Sequence, residues 1–198
     1  MKKTHFILFL LLFSAACLQA QKEETLTSGA RVKGGFGGPF FLYSNTDGQS
    51  GGGGGGGGAF IINDFFIGGF GQGETFGQRT IGSRRYTVGL GFGGFWLGYV
   101  YPSYKVVHLF TSLKVGWGSA TLQRDDNDPF NGNDYTDGVF VTAPEIGVEV
   151  NVVHWFRIAF TGGYRLVGGV QSLPGFASGD FNSPTLGLTM RFGKFGYH

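Results

Sequence analysis

The chain is 198 residues long, with 39 glycines, about one residue in five, and 22 phenylalanines, while charged residues make up only 14%. Low charge beside 17% aromatics argues against intrinsic disorder, which needs the opposite balance. A formal charge of +2, with no Lys/Arg cluster beyond Arg84 and Arg85, leaves no footprint for nucleic acid. A single cysteine, Cys17, excludes an internal disulfide framework and any zinc site built on several thiolates.

The first twenty residues read as a secretory leader. Lys2 and Lys3 form a positive end, Phe6 to Phe13 is an unbroken apolar run too short to span as a helix, and Ala15, Ala16 and Ala20 are small residues near a cut after Ala20. A lipoprotein reading through Cys17 has Ala15 and Ala16 before it, but Ser14 where an aliphatic residue is normal. The expected organisation is a leader over 1–20, a short segment over 21–29 and one domain over 30–198. Without Lys2 and Lys3, 13 basic residues face 13 acidic ones.

Beyond the leader, glycine interrupts every apolar stretch and disfavours helix at about 1 kcal/mol per residue relative to alanine. Alternation takes over. Eight period-two segments follow in order, at roughly 30–43, 49–62, 65–74, 85–100, 106–121, 138–150, 155–167 and 183–195. The later ones are sharply two-faced. Phe156, Ile158, Phe160, Tyr164 and Leu166 alternate with Arg157, Ala159, Thr161 and Arg165, and Leu186, Leu188, Met190 and Phe192 with Gly187, Thr189 and Arg191. Most exceed the ~9–11 residues that a tilted strand needs to cross a bilayer. Connections alternate too: Asn63-Asp64, Pro102 to Lys105 and Asn151 to His154 are short, whereas Thr75 to Arg84, Leu122 to Asp137 and Gly168 to Asn182 are long. The first connection, around Ser44 to Gly48, is the shortest of its set. An even strand count with short turns on one side and long loops on the other predicts an all-β, eight-stranded antiparallel up-and-down transmembrane barrel with both termini on the short-turn side.

Aromatic residues fall at strand ends. Phe65, Phe66, Tyr99, Tyr101, Tyr104, Trp155 and Phe195 flank the short turns, and Tyr43, Tyr86, Trp117 and Tyr164 lie toward the long loops, as two interfacial girdles would require.

A small barrel has an interior just wide enough for side chains to fill. Strand parity sends Lys114, Glu145, Glu149, Arg157, Arg165 and Arg191 inward with His108. Isolated buried charge is costly, so Glu145 and Glu149 are expected to bridge the arginines of the last two strands in a luminal network that plugs the bore. Conduction through the same polar lumen is the alternative. Gly35, Gly37, Gly69, Gly71, Gly73, Gly89, Gly91 and Gly93 repeat on one parity and are expected to line the lumen, leaving space for long side chains from the opposite wall. Eight consecutive glycines, Gly51 to Gly58, read as strand two rather than an outer loop, because an unpaired edge in hydrocarbon costs several kcal/mol per orphan group. Gly51, Gly53, Gly55 and Gly57 would then form a bare outward groove for an acyl chain, a partner helix or a strand.

Chemistry-bearing constellations are thin. The acidic stretch Asp125 to Asp137 fails as an EF-hand, with Phe130 at the fifth place and Asn131 where glycine is required. His108 and Ser112 lie on the order of 13 Å apart on one strand, so no Ser-His-carboxylate triad forms. Gly89 to Gly94 lies inside a strand with no helix after it, so a dinucleotide site fails. No catalytic, cofactor or metal site is expected, and the chain is not expected to be an enzyme.

The alternation, connection lengths and ending Leu186-Gly187-Leu188-Thr189-Met190-Arg191-Phe192-Gly193-Lys194-Phe195 resemble small eight-stranded outer-membrane barrels of the OmpA transmembrane-domain and OmpX kind. They are most similar to Gly-rich exported barrels of Bacteroidota-type bacteria. The resemblance implies a bacterial outer-membrane location, with outer-membrane lipid and the barrel-assembly machinery as partners and an aromatic terminal signal at Phe195 or Tyr197. The implied role is non-enzymatic, in envelope integrity or in contact with a surface glycan or protein through the outer loops. Alternatives are a subunit of a larger outer-membrane complex docking through the Gly-rich strand, an exported barrel holding an apolar ligand, and a lipid A-modifying enzyme.

Overall fold

In the computed structural model, which describes residues 31–82, 84–102, 104–124 and 135–196, eight antiparallel strands close into a barrel in chain order. They are β1 (Val32–Thr46), β2 (Gln49–Ile62), β3 (Phe65–Ile81), β4 (Arg84–Tyr101), β5 (Val107–Arg124), β6 (Tyr135–Val153), β7 (Phe156–Gly168) and β8 (Ser183–Lys194). β1 closes the wall against β8, from Gly35↔Lys194 to Ser44↔Thr185. The expected leader and the 21–29 segment lie outside the described residues, as do Tyr197 and most of the acidic stretch. Among the described residues no helix is long and apolar enough to cross a membrane.

The polyglycine run is strand, paired throughout with β1 and with β3. Glycine gives a strand no polarity of its own, so the register is set from the ends. Ala59 and Ile61 are buried and Phe60 is 69% exposed, and a period of two propagates that choice through the run. At the other end the chain turns through Asp47 and Gly48, both at positive φ (49° and 78°), as a two-residue type I′ hairpin requires.

Three expectations need correction. Thr75 to Arg84 is not a loop: β3 continues to Ile81 and β4 starts at Arg84, with a bulge between Thr75 and Gln78. The ladder persists because Phe76 and Tyr86 still pack inward there. Second, the glycines at 35, 37, 69, 71, 73, 89, 91 and 93 point out of the barrel, not into it. The inward positions of β1, β3 and β4 carry Phe36, Phe40, Phe66, Phe70, Phe92 and Trp96, all buried. Large rings, not space, face the arginines. Third, Phe66, Phe195 and Tyr86 are interior residues rather than girdle residues, whereas Phe65, Tyr101, Tyr104, Trp155, Tyr43, Trp117 and Tyr164 are exposed.

The β7–β8 connection folds over the outer mouth. A four-residue 3₁₀ turn, Ser178–Phe181, drops Phe181 into the bore, and Val170 and Leu173 are buried beside it.

Candidate functional site: the ion-paired lumen

The inward faces of the strands stack buried charge in three tiers. At the end near the termini, Glu149 of β6 faces His108 across the β5–β6 ladder and accepts its Nε2 hydrogen bond at 2.8 Å. His108 Nδ1 meets the Lys105 carbonyl at 2.9 Å. Arg157 and Arg191 are direct cross-strand neighbours on β7 and β8, an arrangement that like charges disfavour. Glu149 resolves it by taking Arg157 Nη1 at 3.1 Å on one oxygen and Arg191 on the other. The guanidiniums also lie on rings, Arg191 over Phe36 at 3.7 Å and Arg157 over Phe195 at 3.9 Å, where the ring quadrupole attracts a cation.

The middle tier is Lys114, whose ammonium donates to Glu145 at 2.8 Å while Ser112 donates to the other carboxylate oxygen at 2.7 Å. Lys114 also sits 4.2 Å from the centre of the Phe40 ring. The outer tier crosses the lumen. Arg165 of β7 reaches Glu74 of β3 at 2.5 Å and Ser44 of β1 at 3.2 Å, and its Nε donates to the Phe181 carbonyl at 3.0 Å. Ser44 donates to the same Glu74 carboxylate.

The structure thus groups the six charged residues named from sequence differently from the expected pattern. Glu149 joins Arg157 and Arg191, but Glu145 pairs with Lys114 and bridges no arginine. It lies level with Ser112 on the neighbouring strand, two residues short of the height at which Arg165 leaves β7. Arg165 instead takes Glu74, a residue that sequence reasoning missed. The signal was there: Phe66, Phe70, Gln72, Glu74 and Phe76 share one parity of β3. Among the described residues, the buried charged side chains are Glu74, Asp137, Glu145 and Glu149 against Lys114, Arg157, Arg165 and Arg191, with His108 besides. Four carboxylates thus match four Lys/Arg cations in number, and none of these side chains converges on a free nucleophile.

The four glycines expected on the outward face, Gly51, Gly53, Gly55 and Gly57, face inward. A Cβ at Gly57 would lie 2.7 Å from the Gly69 carbonyl oxygen and 3.1 Å from Trp96, and one at Gly53 would strike Glu74. The register set by Ala59 and Ile61 decides this. The outward members of the run are Gly52, Gly54, Gly56 and Gly58.

At the outer rim, beyond the exposed ring pair Trp117–Phe140, the Asp137 carboxylate caps the β7–β8 loop. It accepts N–H hydrogen bonds from Gln171 and Ser172 at 2.7 Å and from Leu173 at 3.1 Å. Burial works against its ionisation, but the N–H groups of Ser172, Gln171 and Leu173 outweigh it and hold the carboxyl below the usual aspartate range. A depressed folded-state pKa stabilises above the unfolded value, about 3.9, and that contribution is lost as pH falls through the lower folded value. Asp137→Ala is expected to let chymotrypsin cut after Phe176 at neutral pH while the barrel stays folded. Wild-type protein should open the same loop to pepsin only well below about pH 4. Equal cutting of both proteins at neutral pH would show that the cap does not hold the loop.

No protein-family profile matches the chain, and no curated protein matches it in sequence. Solved structures do. Neisserial surface protein A (NspA) superposes with a TM-score of 0.59 at 12% identity, covering 83% of this chain and 99% of that one. The N-terminal β-barrel domain of Pseudomonas aeruginosa OprF gives 0.45 at 9% identity, covering 80% and 96%. Ail, the attachment invasion locus protein of Yersinia pestis, in complex with the heparin analogue sucrose octasulfate, gives 0.45 at 17% identity, covering 81% and 96%. The likeness to NspA is one of fold: a closed, eight-stranded antiparallel up-and-down barrel.

Proposed function

We propose that the chain is a non-enzymatic integral barrel of the bacterial outer membrane, exported behind a leader cut near Ala20, with its lumen plugged by its own side chains. In this reading it serves envelope integrity or surface contact through its outer loops. The observation that carries this is the inversion of polarity across the wall. Lys114, Glu145, Glu149, Arg157, Arg165 and Arg191 are buried within, while Phe160, Ile146, Leu166, Leu186 and Val148 are exposed without. In water that exterior has no rationale; in hydrocarbon it is the expected solvent-facing band. The fold shared with NspA, a surface protein by its name, supports the same location. Outer-membrane lipid and the assembly machinery follow as partners, and a surface glycan or protein as the contact of the loops.

An exported barrel with an apolar ligand, or a lipid A-modifying enzyme, draws less support, because the bore is charged and filled and, among the described residues, no Ser-His-carboxylate triad converges. A subunit role in a larger complex would need a protein partner docked on the outward face of the Gly-rich strand.

The reading is tested by fractionation, heat-modifiable gel migration and labelling of single cysteines in whole cells. Ala177→Cys on the β7–β8 loop is expected to react with an impermeant reagent, and His154→Cys in the β6–β7 turn to react only after lysis. Recovery in the periplasmic soluble fraction, or a silent Ala177→Cys in a folded barrel, would overturn it. Within that location, Phe160→Arg on the lipid-facing wall is expected to cost about 2–4 kcal/mol of stability in a bilayer, the depth-dependent penalty for a charge near the midplane. Urea titration in vesicles measures it, and an unchanged midpoint would place residue 160 out of hydrocarbon.

A further inference from the structure

The glycines of β1 to β4 fall into two classes. Inward ones are demanded by packing, since a Cβ at Gly53, Gly55 or Gly57 would run into backbone or side chains. Outward ones divide: a Cβ at Gly93 would lie 2.8 Å from the Phe70 carbonyl oxygen and one at Gly89 2.7 Å from Thr121 Oγ1, but the middle of the face is open. A Cβ at Gly71 or Gly73 would meet nothing within 4 Å, and one at Gly91 only a carbonyl oxygen at 3.9 Å. Glycine weakens a strand, and an outward strand position favours β-branched or aromatic residues. At Gly71, Gly73 and Gly91 nothing inside the protein accounts for the missing side chain.

These positions are contiguous. Gly54, Gly73 and Gly91 are cross-strand neighbours, and so are Gly56, Gly71 and Gly93. Large exposed residues frame them: Phe41 on the β1 side, Trp117 on the β5 side, and Phe60, Ile67 and Phe95 at the end nearer the termini. Part of the hollow, between Phe60 and Phe192 over Gly35, Gly58 and Gly69, is a cavity of about 520 Å³. The bare floor spans β2 to β4, with strands about 4.8 Å apart, so more than one hydrocarbon chain can lie on it side by side. The open end is cationic. Up the same face β4 reads Phe95, Gly93, Gly91, Gly89, Thr87, Arg85, with Arg84 beside it at the hairpin tip, and both arginines are exposed.

We propose that this face is a binding site for a phosphorylated, multiply acylated lipid of the outer leaflet, its chains on the glycine floor and its phosphate at Arg84 and Arg85. Charge complementarity selects that occupant over a neutral lipid, since the glycine floor is apolar along its length and carries two exposed arginines together at its open end, whereas the far end has the single Lys194 beside Gly35. The proposal rests on the outer-membrane reading above, and it specifies which lipid the wall holds and where.

The full barrel is first inserted into phosphatidylcholine nanodiscs, with heat-modifiable migration confirming the fold in every case, so that failure to insert is read separately from failure to bind. The discs carry either a bis-phosphorylated, multiply acylated glucosamine disaccharide or its dephosphorylated form, and retained lipid is counted by native mass spectrometry after transfer to detergent. Wild-type protein is expected to retain the phosphorylated form at least about tenfold over the other, the ratio for roughly 1.4 kcal/mol. Arg84→Gln with Arg85→Gln should erase that preference. Gly71→Leu with Gly73→Leu, sterically permitted, should empty the face of both lipids while leaving the barrel intact. Equal retention of the two lipids by wild type, undiminished retention by the leucine variant, or a second protein or barrel copy cross-linked to the face in place of lipid would overturn the proposal.

Discussion

Glu149→Gln is expected to be among the most damaging single substitutions in the wall, lowering stability by about 3–5 kcal/mol, the usual cost of leaving a buried charge without its partner. One carboxylate answers His108, Arg157 and Arg191 at once, and the two arginines face each other directly across β7 and β8. Glutamine keeps the volume and one acceptor oxygen but removes the charge and leaves two guanidiniums to repel in a dry interior. The effect is measured by urea unfolding in micelles, with the heat-modified band as the readout of the folded form. A shift below about 1 kcal/mol would mean that water reaches this tier and screens it, contrary to the burial of all four side chains.

The second large effect concerns the pair that crosses the bore. Glu74→Gln and Arg165→Met are each expected to cost about 3–5 kcal/mol, because each strands its partner. The double variant is expected to recover most of that loss, since a buried ion pair replaced by groups of similar volume is often neutral or stabilising. Coupling between two positions 91 residues apart in sequence would report the contact that ties β3 to β7 through the lumen. Strict additivity of the two single effects would show that the residues do not interact.

These two tiers differ in how they can be read from sequence. Arg157, Arg165 and Arg191 alternate with Phe156, Ile158, Phe160 and Leu166 or with Met190 and Phe192, so parity and chemistry agree and the inward face of β7 and β8 is plain. His108 and Glu149 occupy the same parity classes on β5 and β6. In the first half of the chain parity carries no such label, because glycine suits either face. There the outward glycines of β3 and β4 look like luminal spacers until Phe66, Phe70, Phe92 and Trp96 are counted on the other parity. Partner choice is less legible still. Whether Arg165 takes Glu145 or Glu74 depends on how far the rows of paired residues climb around the wall, a property of the whole closed sheet. Loop lengths mislead in a similar way: Thr75 to Ile81 is polar outside, yet Phe76 within keeps it in the ladder.

The closure of β1 on β8 has a consequence for how such a wall comes to exist. Seven seams join segments that follow one another along the polypeptide, and each can zip as soon as its hairpin is made. The eighth unites the two extremities, Gly35 with Lys194 and Ser44 with Thr185, and waits for all the rest. Until then two raw rims of main-chain donors and acceptors would meet oil, at several kcal/mol for every unmatched group. A half-built cylinder therefore has no resting place inside a bilayer, and a chain shortened before Ser183 should stall outside it.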